Sequence, residues 1–355
     1  MNILILGGTG AMGSHLVQLF KNTDSVVFVT SRKQRNYDNN IHYIKGDAHN
    51  LVFLKQALQK NSWDAIIDFM IYSTEEFKGR INLLLSSCKQ YVFLSSSRGY
   101  ADSQPLITED SPRLLDVSTD EEYLATDEYA LSKARSENVL FKNERKNWTI
   151  IRPYITFSEK RLQLGVLEKE DWLYRALHHQ TIVFSKDIGS KVTTLTYGFD
   201  VAKGIKAIIG KESALGQAFH ITTDENHTWE EIFKLYLRVL TKHLGYEPRI
   251  MIIDKNPRVT LKGSNAQVIY DRYFNRRFDN SKIKKYIDTS DFMPTMEGLE
   301  LCLEDFLKHP VFNMTGWGGQ AMYDRITGEW TPIKEIPTWK KRVKYLLRRT
   351  ILPKK

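Results

Sequence analysis

The stretch NILILGGTGAMGSHLVQLF, residues 2–20, constrains the fold more than any other part of the chain. An apolar run at 3–6 empties into glycines, and apolar positions then recur at helical spacing as Leu16, Val17 and Phe20. The glycines satisfy Gly8-x-Gly10-x-x-Gly13 and Gly7-x-x-Gly10-x-x-Gly13 at once. Gly7 and Gly8 permit a tight turn, Gly10 leaves the backbone open to close approach, and Gly13 lets the helix pack against the strand. A helix starting here aims unpaired N–H groups and the positive end of its dipole at whatever lies over the turn. Strand, glycine turn and helix together read as a cradle for the pyrophosphate of a dinucleotide.

The first half continues in the same alternation. Apolar strands are expected at 26–29, 41–44, 65–69, 91–94 and 148–151, with helical spacing between them, as in Leu51, Leu54 and Leu58. That pattern predicts an α/β fold, a doubly wound parallel Rossmann-type sheet, over residues 1–155, with a strand and helix returning to it near 192–210. A smaller α+β substrate-binding domain is expected from 156–191 and 211–310. Residues 311–355 read as an irregular extension rich in Gly, Trp and Pro, ending in a basic tail. The connection at 95–128 is long and acidic, and long ordered loops tend to carry function.

Two segments supply chemistry. QYVFLSSSRGYAD puts Ser95, Ser96 and Ser97 at the carboxyl end of the fifth strand, where open parallel sheets bind ligands. DEYALSKARSENVL places Tyr129 and Lys133 four residues apart, on one face of a helix. A phenol is a poor base near neutrality, and a neighbouring ammonium favours its phenolate. Tyr129 could then exchange a proton with a substrate oxygen that the Ser97 hydroxyl holds. The third strand ends in Gly46-Asp47, where Asp47 could accept from an adenine amino group.

These pieces resemble the extended short-chain dehydrogenase/reductases, the NAD-dependent epimerase/dehydratase family acting mostly on nucleotide-activated sugars. GGTGAMG, GD at 46–47, FLSSS at 93–97, YALSK at 129–133, TIIRPYITF at 149–157 and TTLTYGFDVAKGI at 193–205 match in order. The resemblance implies a catalytic triad of Ser97, Tyr129 and Lys133, the first two touching substrate. It implies cofactor contacts at Gly7, Gly10, Gly13, Asp47, Tyr129 and Lys133, to which Thr9 and Met12 of the turn are added. Homodimerisation through the helix carrying Tyr129 is a further expectation from the family. Dehydration is disfavoured, because Arg98 and Gly99 stand where the sugar 4,6-dehydratases carry Asp-Glu. After the fourth strand, DFMIYS brings bulky Phe69 and Met70 where the family often has small residues or histidine. The expected activity is hydride transfer at a hydroxyl or keto carbon of a nucleotide sugar, by a 4-ketoreductase or epimerase in glycan precursor biosynthesis. The alternative is a non-catalytic NADP-binding sensor or scaffold.

Charge refines the reading. The second strand empties into Thr30, Ser31, Arg32 and Lys33, where an acid would hold the two ribose hydroxyls of NAD. Ser31 and Arg32 offer donors and positive charge to a 2′-phosphate instead, so NADP is the preferred cofactor and NAD the alternative. Eight of the net nine positive charges fall in residues 340–355, so the remaining chain carries only one. No recognised nucleic-acid motif accompanies that charge, and no nucleic-acid partner is expected. In the tail, Trp339, Val343, Leu346, Leu347 and Thr350 or Ile351 form a stripe with Lys340, Lys341, Lys344 and Arg348 largely off it. Such a helix suits either peripheral contact of residues 338–355 with an anionic membrane or packing on its own domain or a second subunit. Arg272, Arg276 and Arg277 could grip a diphosphate or form a solvated or interdomain patch. The adjacent His178 and His179 make a poor metal pair, and no metal is expected. A strand directly after Met1 argues against a signal peptide, and two isolated cysteines suit a reducing cytoplasm.

Overall fold

In the computed structural model, which describes residues 1–260, 265–312 and 315–350, seven parallel strands form one sheet. They are β1 (Asn2–Leu6), β2 (Val26–Ser31), β3 (Ile41–Lys45), β4 (Trp63–Asp68), β5 (Cys88–Leu94), β6 (Trp148–Pro153) and β7 (Gln217–Ile221). Their order is β7-β6-β5-β4-β1-β2-β3. The order reverses between β1 and β4, and a crevice opens at the carboxyl ends of strands at such a switch point. The glycine turn after β1 meets the residues after β4 there. A Cβ added to Gly7 would stand 3.0 Å from the Met70 sulfur.

Both faces of the sheet are covered, which is why β1 reads as an unbroken apolar run. On one face Ile3 and Ile5 pack with Leu16 and Phe20 of α1 (Ala11–Phe20). On the other, Leu4 and Leu6 pack with Leu54 and Leu58 of α2 (Leu51–Leu58) and with Phe77 and Ile81. The four apolar side chains of β1, Ile3 to Leu6, are fully buried, so truncating any of them to alanine costs about 2–5 kcal/mol. The helix carrying Tyr129 and Lys133 is α3 (Tyr129–Lys142), and Leu140 on it joins the second cluster. On the first face lies α4 (Gly198–Ile208), through Val201, Ala202, Ile205 and Ile208.

The chain divides into two compact units. The first comprises Met1–Ser158, Thr194–Asn226 and Arg276–Thr295; the second comprises Glu159–Thr193, His227–Asn275 and Met296–Lys355. The structure places 217–221 and 276–295, expected on the substrate side, in the first unit. Residues 217–221 pair with β6 as β7, and Arg276 donates to the Tyr100 and Ala101 carbonyls. Isolated apolar strands of five residues carry no sequence mark of which sheet they join.

In the second unit, α5 (Trp229–Leu244) opens on a capping box between Thr228 and Glu231. Two later helices, α6 (Trp317–Thr327) and α7 (Trp339–Thr350), pack together around buried Tyr345, whose hydroxyl donates to Asp324. The apolar stripe of α7 is not what packs: Trp339, Val343, Leu346 and Leu347 are exposed. Residues 351–355 of the tail, including Ile351, lie outside the described residues. No helix among the described residues is long and apolar enough to cross a membrane.

Candidate active site

Each glycine of the first turn has a distinct part. Gly7 lies at φ +72°, a left-handed conformation that a side chain disfavours. A Cβ on Gly13 would come 2.7 Å from the Gly8 Cα, so helix and turn touch backbone to backbone. A Cβ on Gly10 would find nothing nearer than 3.7 Å, so Gly10 keeps space open on the outer side of the turn. Gly10 also caps α1 without a side-chain bond, and no acid lies in the first helical turn. The unneutralised N-terminus and open approach fit a dinucleotide pyrophosphate. Thr30 of β2 pins the turn by accepting from the Gly7 N–H at 3.1 Å. Thr9 is exposed and Met12 half-buried, both at the mouth of the cradle.

The pair expected to handle protons, Tyr129 and Lys133, is placed by α3. Glu128 caps that helix by accepting from the Ala130 N–H, which makes Tyr129 its first residue. One turn on, Lys133 is buried and donates to the Leu94 carbonyl at the end of β5 (2.6 Å) and to the Met70 carbonyl (3.4 Å). Its nitrogen lies 5.9 Å from the centre of the Tyr129 ring. Burial pushes the Lys133 ammonium down to about 8, against the opposing charges of Asp68 and Glu137. Asp68 ends β4, is fully buried, and accepts from the Met70 N–H, Tyr91 Oη (2.8 Å) and Tyr72 Oη (3.3 Å). Burial raises its carboxyl above the ordinary range, while these donors and Lys133 work against that rise. The sequence reading missed Asp68, although an acid closing the apolar run WDAIID was a visible signal.

The three serines have different fates. Ser95 donates to Glu137 at 2.6 Å, within a buried cluster that Arg113 and Arg152 complete. Ser97 is fully buried and donates to the Arg152 carbonyl at 2.7 Å. That bond holds the hydroxyl against the end of β6. Ser96 accepts from the Arg98 N–H at 3.2 Å and donates to no group among the described residues. Ser96 is itself buried, beside Tyr100, Arg113, Glu137 and Arg152. Arg98 forms an ion pair with Glu128 at 2.9 Å, and its guanidinium stands 5.3 Å from the centre of the Tyr129 ring.

Residues 3–222 match the family model described as NAD dependent epimerase/dehydratase family. The chain belongs to that family. Solved epimerase/dehydratase structures share the fold. A dTDP-glucose 4,6-dehydratase from Bacillus anthracis, in complex with NAD, aligns at TM-score 0.64 with 17% identity, covering 87% of this chain and 97% of its own. A UDP-glucuronic acid 4-epimerase from Bacillus cereus, in complex with UDP-glucuronic acid and NAD, aligns at 0.63 with 19% identity, over 88% and 100%. Among curated proteins, the chloroplast stem-loop binding protein of 41 kDa b from Arabidopsis thaliana is 24% identical over 274 residues. That match takes in 72% of this chain and spans 66% of the relative's length, just under two thirds.

Within this epimerase/dehydratase fold the remaining expected residues sort clearly. Asp47 is exposed and accepts from the His49 N–H at 3.0 Å, so one oxygen closes its own turn. At the end of β2, Ser31 is buried; its hydroxyl donates to the Lys33 carbonyl and accepts from Arg35 Nε at 3.3 Å. Arg32 and Lys33 are exposed, and Arg35, missed in the sequence reading, is drawn to the same corner. Its guanidinium also stands 5.7 Å from the Tyr43 ring centre. The arginine cluster near 272–277 does not present a fork to a diphosphate. Arg272 and Arg276 are fully buried, the first donating to the Gly165 carbonyl and pairing with Asp271. Burial pushes both thiols, Cys88 and Cys302, up to about 12, which makes them poor nucleophiles.

Proposed function

We propose that the chain is a nicotinamide-dependent oxidoreductase or epimerase acting on a nucleotide-activated sugar, at a carbon bearing a hydroxyl or ketone. The observation that carries this reading is Tyr129 standing over the buried Lys133 ammonium, at the ligand-binding end of a sheet that opens on a glycine cradle. When bound, the nicotinamide supplies the hydride acceptor or donor. The Lys133 charge favours the Tyr129 phenolate, which takes the proton from the sugar hydroxyl or returns it to a ketone. The Ser97 hydroxyl, turned from the Arg152 carbonyl, would donate to that same oxygen and stabilise the charge that grows on it. No carboxylate follows the serines, which favours ketoreduction or epimerisation over loss of water.

Gly7, Thr9, Gly10, Met12 and Gly13 would hold the pyrophosphate and Asp47 the adenine. The solved relatives named above carry NAD, which supports NAD; the basic end of β2, with Arg32, Lys33 and Arg35, supports NADP. NADP is the preference proposed here, because residues 30–37 contain no acid to accept from ribose hydroxyls or to repel a 2′-phosphate. The test is to extract bound nicotinamide from the purified protein, then offer NADPH or NADH with 4-keto sugar nucleotides and to follow UDP- and dTDP-sugars by NMR. Loss of turnover in Tyr129→Phe with unchanged cofactor affinity is expected. Absence of binding to all four nicotinamide dinucleotides would sink the reading.

A second reading concerns α7. Its exposed Trp339, Val343, Leu346 and Leu347 adjoin the basic Lys340, Lys341, Lys344 and Arg348, which suits an anionic lipid surface. Co-sedimentation with phosphatidylglycerol vesicles, with and without residues 338–355, tests it. A stem-loop RNA arm covers the partner class in the name of the plant relative.

A further inference from the structure

Arg98 is the only charged residue in the serine turn, 95–99, and the mechanism above leaves its side chain unused. Its N–H donates to the Ser96 hydroxyl at 3.2 Å, inside the short turn Ser97–Gly99. The side chain, 18% exposed, crosses to the start of α3, where the guanidinium donates to Glu128 at 2.9 Å. The other Glu128 oxygen accepts from the Ala130 N–H (2.8 Å) and from Tyr123 Oη (3.4 Å). That carboxylate is shared among three donors, one of them a helix N-terminus whose dipole also offsets negative charge. On the Tyr129 ring itself, the Arg98 guanidinium stands 5.3 Å from the centre and Lys133 Nζ 5.9 Å.

The two cations differ in kind. A phenol ring attracts a cation through its π electrons, and a phenolate attracts it more strongly because the charge is spread into the ring. Lys133 is buried and pushed down to about 8, so its charge fades as the solution turns alkaline. A guanidinium keeps its charge throughout that range. The other charges near the start of α3 are already matched. On the short segments packed against the helix, Asp116 pairs with Arg113 and Glu75 with Lys78, while Glu76 caps its own segment through Ser73. Asp127 accepts from Thr74 and Arg135, and Asp68 and Glu137 act on Lys133.

We propose that Arg98 is a positioning residue for Tyr129: it ties the serine turn to the first turn of α3 and sets a second, permanent cation against the phenol. The proposal rests on the part given to Tyr129 in the oxidoreductase or epimerase reading. Its test needs neither substrate nor cofactor, so it can fail while that reading stands.

The full-length protein is labelled with tyrosine carrying 13C at Cζ, and the Tyr129 resonance is assigned by its loss in Tyr129→Phe. Ionisation of that ring is followed from about pH 7 to pH 11 in each variant whose circular dichroism stays native. Arg98→Gln keeps a donor for Glu128 but loses the charge, and should move the Tyr129 midpoint up by about one unit. Arg98→Lys, which keeps the charge, should recover most of that shift. Glu128→Gln, which removes the acid that offsets the guanidinium, should move the midpoint down. Opposite shifts from the two ends of one ion pair are not what loosened packing produces, and Glu128→Gln decides alone if Arg98→Gln does not fold. Lys133→Met serves as the control on the underlying reading. A shift in Lys133→Met without one in Arg98→Gln would keep that reading and overturn the proposal, and no shift in either would overturn both. The proposal is also overturned if Arg98→Lys moves the midpoint as far as Arg98→Gln, or if Glu128→Gln moves it up.

Discussion

Replacing Lys133 with methionine should change how stability depends on pH, and the change can be worked from its surroundings. The ammonium is buried against the Leu94 and Met70 carbonyls, and burial pushes it down to about 8. An unfolded lysine titrates near 10.4. Between those values the unfolded chain holds the proton and the folded chain does not, so stability rises with pH across that interval. The gap is worth about 3 kcal/mol, entered at about 1.4 kcal/mol per pH unit. Urea unfolding of wild type and Lys133→Met, at half-unit steps from about pH 7 to pH 10.5, isolates the group, because other titrations cancel in the difference. Wild type should gain about 3 kcal/mol on the variant over that span. In an Asp68→Asn background the rise should begin at lower pH, since the Asp68 charge raises Lys133. A flat difference would refute the buried-ammonium argument. A difference that falls with pH would mean that Asp68 and Glu137 outweigh burial and hold the lysine above its unfolded value.

Three further outcomes follow from the same site. Gly10→Ala should leave thermal stability within about 1 kcal/mol, since its Cβ meets open space, yet weaken nicotinamide binding at least tenfold. Gly13→Ala, whose Cβ would press on the Gly8 backbone, should destabilise by about 1–3 kcal/mol, and differential scanning calorimetry separates the two. Ser97→Ala should lower kcat by about 10²-fold or more, and should also cost about 1 kcal/mol by stranding the Arg152 carbonyl. Replacing Arg32 and Arg35 together with serine should raise the Kd for NADPH by about tenfold or more while leaving NADH unchanged, as read by fluorescence titration. Equal losses for both cofactors would remove the 2′-phosphate assignment.

Local signals carried much of the site. The glycine turn could be read because each glycine answers a constraint set within a dozen residues: a positive φ, a close backbone contact, an open approach. The Tyr129–Lys133 pair could be read because helical spacing alone puts residues four apart on one face. The partners of the adjacent serines could not be read that way. They are Glu137 and the Arg152 carbonyl, which lie about 40 to 55 residues away and accept from Ser95 and Ser97. Likewise the stripe on α7 has the period of a packing face. The face that is buried is Tyr345's, because Asp324 and Thr331 accept and donate there.

By itself the sequence determined the class of sheet, the cradle at its head and the helix that holds the tyrosine and lysine, since all of these follow from periodicity and from the backbone freedom of a few glycines. Tertiary structure alone decided what the Ser95 and Ser97 hydroxyls meet, that β7 joins β6, and that Asp68 lies buried near Lys133 to oppose its loss of charge. Those outcomes depend on where distant strands end against one another. Hydrogen-bond acceptors and buried charges brought together across the sheet leave no mark in any short window of residues.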